Sequence, residues 1–411
     1  MKGWPDSEEP PCPSGHADNE PFRRIVWPFA IAETLVWAAY YYSFPALLPI
    51  WEADLGFTKT TLTGAFTLSL IVSAALAPLA GRYIDSGHGR AVFAGSASLA
   101  GVLLFLLSHV TEAWQFFAVW IGIGIAMAGS LYEACFAILT HCMGDRAKRA
   151  ITLVTLVAGF AGTVSFPAAH YLTLFIGWRG TVAMFATTVL LICVPLILYG
   201  CHFADRRARI AAPKASTNVR QAMRAARTLT FWMLGVSFTL LSLDHALIIS
   251  HLLPIMADRG LLEQTAVLAA SMIGPMQVAG RLAMIVAERY VSTLTICLVS
   301  YISMGTAGGA LYLAGTVPAL VCVFVVFQGA AVGVLSIIRP AVIAELLGRR
   351  DFGVTSGLLA VGFMGGFAVA PILASLIWRA GGYDLVLILP IGVPIVALFI
   401  LLLAWRFRQE M

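Results

Sequence analysis

The chain alternates long apolar runs with short polar breaks. Twelve runs stand out, at roughly 25–50, 60–81, 91–110, 113–140, 149–174, 180–203, 229–256, 264–287, 291–314, 317–343, 352–378 and 385–405. Each holds about 20 residues or more, which at about 1.5 Å per residue crosses a ~30 Å hydrocarbon layer. Inside lipid every backbone N–H and C=O must be satisfied within its own segment, so the runs are predicted to be helices and not open strands. Abundant Gly and Ala suit close helix packing. The expected fold class is an all-α membrane protein with twelve transmembrane helices.

Composition agrees with the pattern. Hydrophobic residues make up 60% of the chain and charged residues 11%, against about 25% charged in soluble domains. The first apolar run begins at Ile25 and is too long for a signal h-region. Residues 1–22, with Pro5, Pro10, Pro11, Pro13 and Pro21 among acids, read as a disordered tail. The seven cysteines form no C-x-x-C pair, so no disulfide framework and no metal site is expected. No P-loop, H-E-x-x-H or nucleophile elbow occurs, which argues against an ATP-driven pump or an enzyme. No cofactor and no nucleic-acid partner is expected.

The net charge of +5 is a topology signal. With the N-terminus placed in the cytoplasm, twenty of the 26 Lys and Arg fall on inside segments. Lys59, Arg179, Arg259 and Arg379 fall outside, and Arg281 and Arg339 lie within spans. This bias predicts a multi-pass protein of the cell (inner) membrane with both termini cytoplasmic. The longest interior polar stretch, 204–228, reads as a cytoplasmic linker between two six-span bundles, 23–203 and 229–408. The bundles repeat. An offset of 204 residues brings Gly144 onto Gly348, Arg146 onto Arg350, Gly162 onto Gly366, Pro167 onto Pro371 and Gly177 onto Gly381. Parallel six-span repeats around a midplane site are a transporter design.

Between the second and third runs stands Gly81-Arg-Tyr-Ile-Asp85-Ser-Gly-His-Gly89-Arg90. It resembles the signature loop of the major facilitator superfamily, G-x-x-x-D-x-x-G-[RK]-[RK], departing from it at Ala91. A decayed copy, Met284-Ile-Val-Ala-Glu288-Arg289, occupies the second half. The resemblance implies the major facilitator fold, two pseudo-symmetric six-helix bundles. It also implies a gating loop of Gly81, Asp85, Gly89 and Arg90 with Glu288 and Arg289, in which Asp85 pairs with arginines or the end of the eleventh span in one conformational state. Ser130-Leu-Tyr-Glu133, Gly177-Trp-Arg-Gly180, Arg339-Pro340 and Gly381-Gly-Tyr-Asp384 are similar to bacterial members near the monocarboxylate-porter and oxalate/formate branches. Those branches bind a substrate carboxylate with an arginine of the eighth span, a place taken here by Arg281. The lysine that monocarboxylate porters use in their first span is missing.

Ionisable groups in spans are costly, about 3 kcal/mol each on insertion scales, so each needs a reason. Arg281 carries planar donors that fit a carboxylate; its bland alternative is an interior ion pair. Asp244 and His245 sit mid-span and align with Tyr40 and Tyr41 under the 204-residue offset. One of the pair is expected to face a central cavity, although a packing role is as plausible. Candidate substrate contacts are therefore Arg281, Tyr40, Tyr41 and His245. Candidate proton carriers are Glu133, Asp244 and Glu33. Arg339 reads either as a cavity charge or as a structural pair, and His170 and His251 are expected to meet water at the outer ends.

The leading expectation is a monomeric secondary transporter of a small organic anion, monocarboxylate-like and proton-coupled. The alternatives are proton-coupled efflux of a drug or metabolite and, from another class, a non-transporting membrane sensor. The four charged residues Glu33, Glu133, Asp244 and Arg339 on the four spans that line the cavity in this superfamily favour a polar path over a greasy pocket.

Overall fold

A computed structural model of the chain describes residues 19–208, 228–348 and 352–407. These residues form twelve spans: α1 (19–55), α2 (Lys59–Tyr83), α3 (Gly89–Leu107), α4 (113–143), α5 (147–176), α6 (178–208), α7 (229–258), α8 (Glu263–Ala287), α9 (Thr293–Leu313), α10 (Leu320–Leu347), α11 (352–380) and α12 (383–407). Most of the expected linker and residues 1–18 of the expected tail lie outside the described residues. Residues 19–22 are not tail but the start of α1.

Three continuous helical stretches, Lys59–Leu107, Arg149–Arg206 and Thr355–Phe407, hold 49, 58 and 53 residues, about twice what a bilayer needs. Each folds back on itself where the backbone leaves helical angles: at Gly87 (φ 90°), Gly177 (φ 70°) and Gly381–Gly382. A positive φ costs a residue with a Cβ but not glycine, so Gly177 can reverse the chain without a loop. Span α1 is less apolar because Trp27, Trp37, Tyr40, Tyr41, Tyr42 and Glu33 interrupt it.

The two turns related by the 204-residue offset also staple the end of the molecule remote from the termini. After Gly177, Trp178 Nε1 donates to Asp54 Oδ2 at 2.6 Å, and Arg179 Nη1 donates to the carbonyls of Ser108 and Val110 at 3.0 and 2.9 Å. After Gly382, Asp384 pairs with Arg259, whose Nη1 also donates to Tyr312 O at 3.3 Å. Arg179 and Arg259 thus tie outer loops together within their own bundles.

Between the bundles run two seams, α2 against α11 and α5 against α8. Thr67 Oγ1 accepts from Ile372 N at 3.1 Å across the first, and Thr163 Oγ1 donates to Ser271 O at 2.7 Å across the second. Thr67 and Ser271 are equivalent positions in the repeat. So are Lys59 and Glu263, the first residues of α2 and α8, and both reach the opposite bundle. Lys59 Nζ lies 4.1 Å over Trp378 and 5.3 Å over Tyr383, and 3.4 Å from Glu52. Glu263 Oε1 meets His170 Nδ1 at 3.0 Å. Toward the termini, Arg281 links the bundles through Thr155 O. The far end is closed by contacts between the bundles.

His251 and His170 depart from the sequence expectation of solvent-exposed histidines. His251 is fully buried, with Nε2 against Pro371 O at 3.0 Å and Nδ1 against Tyr383 Oη at 3.1 Å. The His170 side chain is 9% exposed and carries the Glu263 contact. Both serve the closed end.

The seam packing predicts a wedge effect. A Cβ on Gly274 would stand 2.5 Å from Thr163 Oγ1 and 2.6 Å from Gly159 O, and the backbone cannot yield as a side-chain tip can. Gly274→Leu should force α5 and α8 apart and disfavour the far-end-closed form. Faster labelling of a seam cysteine from the far side, compared with the parent protein, is the expected readout. Lys59→Gln should act in the same direction, since a desolvated cation–π contact contributes about 2 kcal/mol, while Lys59→Arg should retain most of the closure.

Candidate functional site

Two local irregularities shape the space between the bundles. In α1 a single π-turn, Ala38–Tyr42, adds a residue to the helical circuit and fans three consecutive tyrosines apart. Tyr40 is fully buried with its hydroxyl toward Ala97 O of α3. Tyr41 stacks on Phe367 of α11 at 5.2 Å and an interplanar angle of 24°. Tyr42 borders a void of about 10 Å³, room for about one water, beside Phe166, Ile273 and Gln277. In α4 the helix stops at Ser130, Leu131 is extended (φ −103°, ψ −169°), and the helix restarts at Tyr132. Glu133 therefore sits in the first turn of a new helix in mid-membrane, where the helix dipole favours a negative charge. Broken helices of this kind are a recurrent feature of transporter binding sites.

Arg281 of α8 lies opposite these breaks. It is 5% exposed. Its Nε donates to Ser336 Oγ of α10 at 3.2 Å, and its Nη1 donates across the seam to Thr155 O of α5. Tyr132 and Tyr42 are the groups that act on its charge, and no carboxylate pairs with it among the described residues. Neither bond uses Nη2. Ser336 and Glu133, although mid-span, are both exposed.

Arg339 of α10 faces Glu133 across the opening. Each feels the other's charge, yet they form no direct ion pair among the described residues. The guanidinium of Arg339 rests instead 4.1 Å over the Phe363 ring. The structure thus brings Tyr42, Tyr132 and Ser336 to Arg281, and sets Glu133 opposite Arg339.

The other candidates lie elsewhere. Glu33 is 1% exposed inside the first bundle, where Trp37 and Cys135 are its nearest donors and Glu133 the nearest charge. Asp244, also 1% exposed, is inside the second bundle with both oxygens unpartnered. Its neighbour His245 is half-buried, with Nδ1 3.3 Å from Gln328 Nε2 of α10. Tyr40 and Tyr41 fill the first bundle and the α2–α11 seam. Tyr42, Tyr132 and Ser336 join the cavity, and sequence reasoning had no handle on them: the π-turn and the Leu131 break decide which side chains turn inward.

The gating-loop residues cluster at the termini end. Gly81, Asp85, Gly89 and Arg90 surround the α2–α3 turn. Asp85 Oδ1 meets His141 Nε2 of α4 at 2.7 Å, with side chains 64% and 44% exposed. Among the described residues its ion-pair partner is a histidine of its own bundle. Glu288 and Arg289, in the corresponding α8–α9 turn, are exposed and form no ion pair among the described residues.

Two six-helix bundles packed along two seams are the architecture of a membrane transporter. The chain belongs to the Major Facilitator Superfamily, whose family model matches residues 29–317. No curated protein matches it in sequence. Among solved structures, the nucleoside transporter NupG superposes with a TM-score of 0.72 at 14% identity, covering 93% of this chain and 99% of that one, and a mutant form of the same transporter does so equally. A bacterial homologue of the human lysosomal transporter Spinster, inward-facing and unoccupied, superposes with a TM-score of 0.66 at 14% identity, covering 95% and 96%. These likenesses establish the fold. They do not bear on the resemblance to the monocarboxylate and oxalate/formate branches.

The Asp85–His141 contact yields an expectation. Asp85→Asn should leave insertion and melting temperature near parental values, because an exposed pair contributes about 0–1 kcal/mol, while slowing turnover by removing a charge that must change partners as the bundles rock. Unchanged turnover at normal expression would make Asp85 an ordinary turn residue.

Proposed function

We propose that this protein carries a small organic anion, monocarboxylate-like, across the cell membrane by alternating access, together with a proton. The observation that carries the reading is Arg281: a buried guanidinium at the meeting of the bundles, without a carboxylate partner among the described residues and with Nη2 free of hydrogen bonds. An unpaired buried charge is expensive, and a substrate carboxylate would relieve the cost through charge-assisted hydrogen bonds. Glu133 answers Arg339, which leaves Arg281 to a single negative charge on the substrate. A neutral substrate would leave Arg281 uncompensated.

Glu133 would carry the coupling proton. Protonated, it would free both Arg339 and the helix start at Tyr132 for the anion; ionised, it would draw Arg339 back. Glu33, buried beside it, would be the next acceptor inward. With the termini in the cytoplasm, as the arginine bias indicates, the form described is the inward-facing one. Tags at residue 214 and at either terminus should then be cytoplasmic and a tag at residue 259 external; an external tag at residue 214 would reverse the direction assigned here.

The test of the substrate reading is a binding screen of short monocarboxylates against purified protein, with matched nucleosides as neutral controls. Arg281→Lys keeps the charge and loses the planar fork, and Arg281→Gln loses both. Since hydrogen bonds to charged groups contribute about 1.5–3 kcal/mol, affinity should fall about tenfold in the first and further in the second. Melting temperature, measured alongside, separates binding from structure: normal affinity in a destabilised Arg281→Gln protein would sink the proposal.

A further inference from the structure

At the far end the Lys59 ammonium sits in an aromatic box. Its Nζ stands 4.1 Å over the Trp378 ring and 5.3 Å over the Tyr383 ring, with Glu52 Oε2 at 3.4 Å. The box is divided between the bundles. Lys59 and Glu52 belong to the first, while Trp378, near the end of α11, and Tyr383, at the start of α12, belong to the second. The two rings are fixed without help from Lys59. Their centroids lie 6.1 Å apart at an interplanar angle of 40°. The Tyr383 hydroxyl meets His251 Nδ1 at 3.1 Å, and His251 Nε2 is held in turn by Pro371 O. Asp258 of the same bundle acts on Tyr383 as a negative charge, although it also pairs with Arg259 at 3.1 Å. The cage belongs to one half only. The 204-residue offset puts Leu174 and Arg179 where Trp378 and Tyr383 stand, and Glu263 meets a histidine at that corner instead of rings.

When the bundles rock apart, the two sides of the box fare differently. Lys59 leaves together with Glu52, so its charge keeps a carboxylate partner. Trp378 and Tyr383 keep each other and His251 but lose the one cation that stands over their faces among the described residues. What remains on the second bundle is a pair of tilted rings with an acid nearby, turned toward the far side. The negative faces of such rings attract a cation most strongly when water is excluded between them.

We infer that Trp378 and Tyr383 form a second ligand site, apart from Arg281, for an alkylated ammonium group of the choline type, and that Lys59 is its built-in competitor. A primary ammonium is strongly hydrated and is held here with the help of Glu52. A quaternary ammonium has no N–H to satisfy, so it needs no Glu52 and can rest on the rings alone. The ion and Lys59 cannot fill the same space. The ion therefore binds only the parted form and, by linkage, holds the bundles apart at the far end. The site stands whether or not the transported substrate is an anion.

The test uses the full chain in phosphatidylglycerol nanodiscs, with spin labels on Thr111→Cys and Thr316→Cys in a Cys12→Ser, Cys322→Ser background. Both labelled positions are exposed, on far-end loops of opposite bundles, so double electron–electron resonance between them reads closure. Choline should lengthen the distance. At about ten times its dissociation constant the ratio of parted to closed protein should rise about elevenfold. Sodium at equal ionic strength should not do this, nor should 3,3-dimethylbutan-1-ol, the uncharged isostere of choline. Trp378→Leu should abolish the choline response. Trp378→Phe, which keeps a weaker ring, should move the response to higher concentration and serves if the leucine variant is already parted. In Lys59→Ala the box is vacant, and methylammonium, small enough to stand beside Glu52, should shorten the distance, the opposite sign to choline in the parent. A parallel sample in phosphatidylcholine without free choline identifies the source of the group: parting there assigns a lipid headgroup, and closure there assigns a dissolved ion. Equal responses to choline and its isostere, no response to choline, a response undiminished in both Trp378 variants, or a Lys59→Ala protein that methylammonium leaves unchanged would overturn the proposal.

Discussion

Everything in this molecule depends on how thinly its halves are joined. Two six-helix bundles meet along α2–α11 and α5–α8, where glycines let backbones touch. Gly274 against Gly159 shows how close: there is no room for a methyl group between them. Close backbone contact offers dispersion but few directional bonds. Only a handful of polar links, Thr67–Ile372, Thr163–Ser271 and Arg281–Thr155 among them, cross the seams. Each bundle is itself well tied by its own arginines and tryptophans. Rigid bodies with a weakly bonded boundary will rock before they deform, which is the mechanical requirement for exposing one cavity to two sides in turn.

The low dielectric of the interior then sorts the charges by use. Arg179 and Arg259 are held by carbonyls or carboxylates and act as fasteners. Arg339 and Glu133 feel each other's charge without forming an ion pair among the described residues. Arg281 has a hydroxyl and a carbonyl but no counter-ion among the described residues. Glu33 and Asp244 are buried inside separate bundles, away from any cation. Position in the membrane alone would not distinguish these classes; the count of partners does.

The spans were legible in the sequence because lipid imposes a length and a composition that few residues can violate. Expected and observed boundaries differ by only a few residues for most spans. α1 is the exception, running from 19 to 55 against an expected 25–50. The repeat was legible too, through glycines and prolines whose positions recur in both halves. Its deeper consequence was not: Lys59 and Glu263 are equivalent residues, but nothing in their chemistry announces it. Arg281 stood out as a lone charge in an apolar run. Tyr42, Tyr132 and Ser336 did not, because one inserted residue in α1 and one extended residue in α4 rotate the helices by amounts that periodicity cannot foresee. His251 and His170 were misjudged for a related reason. Distance from the membrane centre suggests water, whereas the closed end supplies protein on every side.

The equivalence of Lys59 and Glu263 has a mechanical consequence. The same corner of each repeat is fastened to its neighbour by opposite chemistry. One fastening is a cation enclosed by aromatic rings and shielded from solvent; the other involves a Glu263 side chain that is 74% exposed. The outer rim is thus an asymmetric clasp: one corner is sealed by rings and the other stands in water, so what is dissolved on that side touches only one of the two.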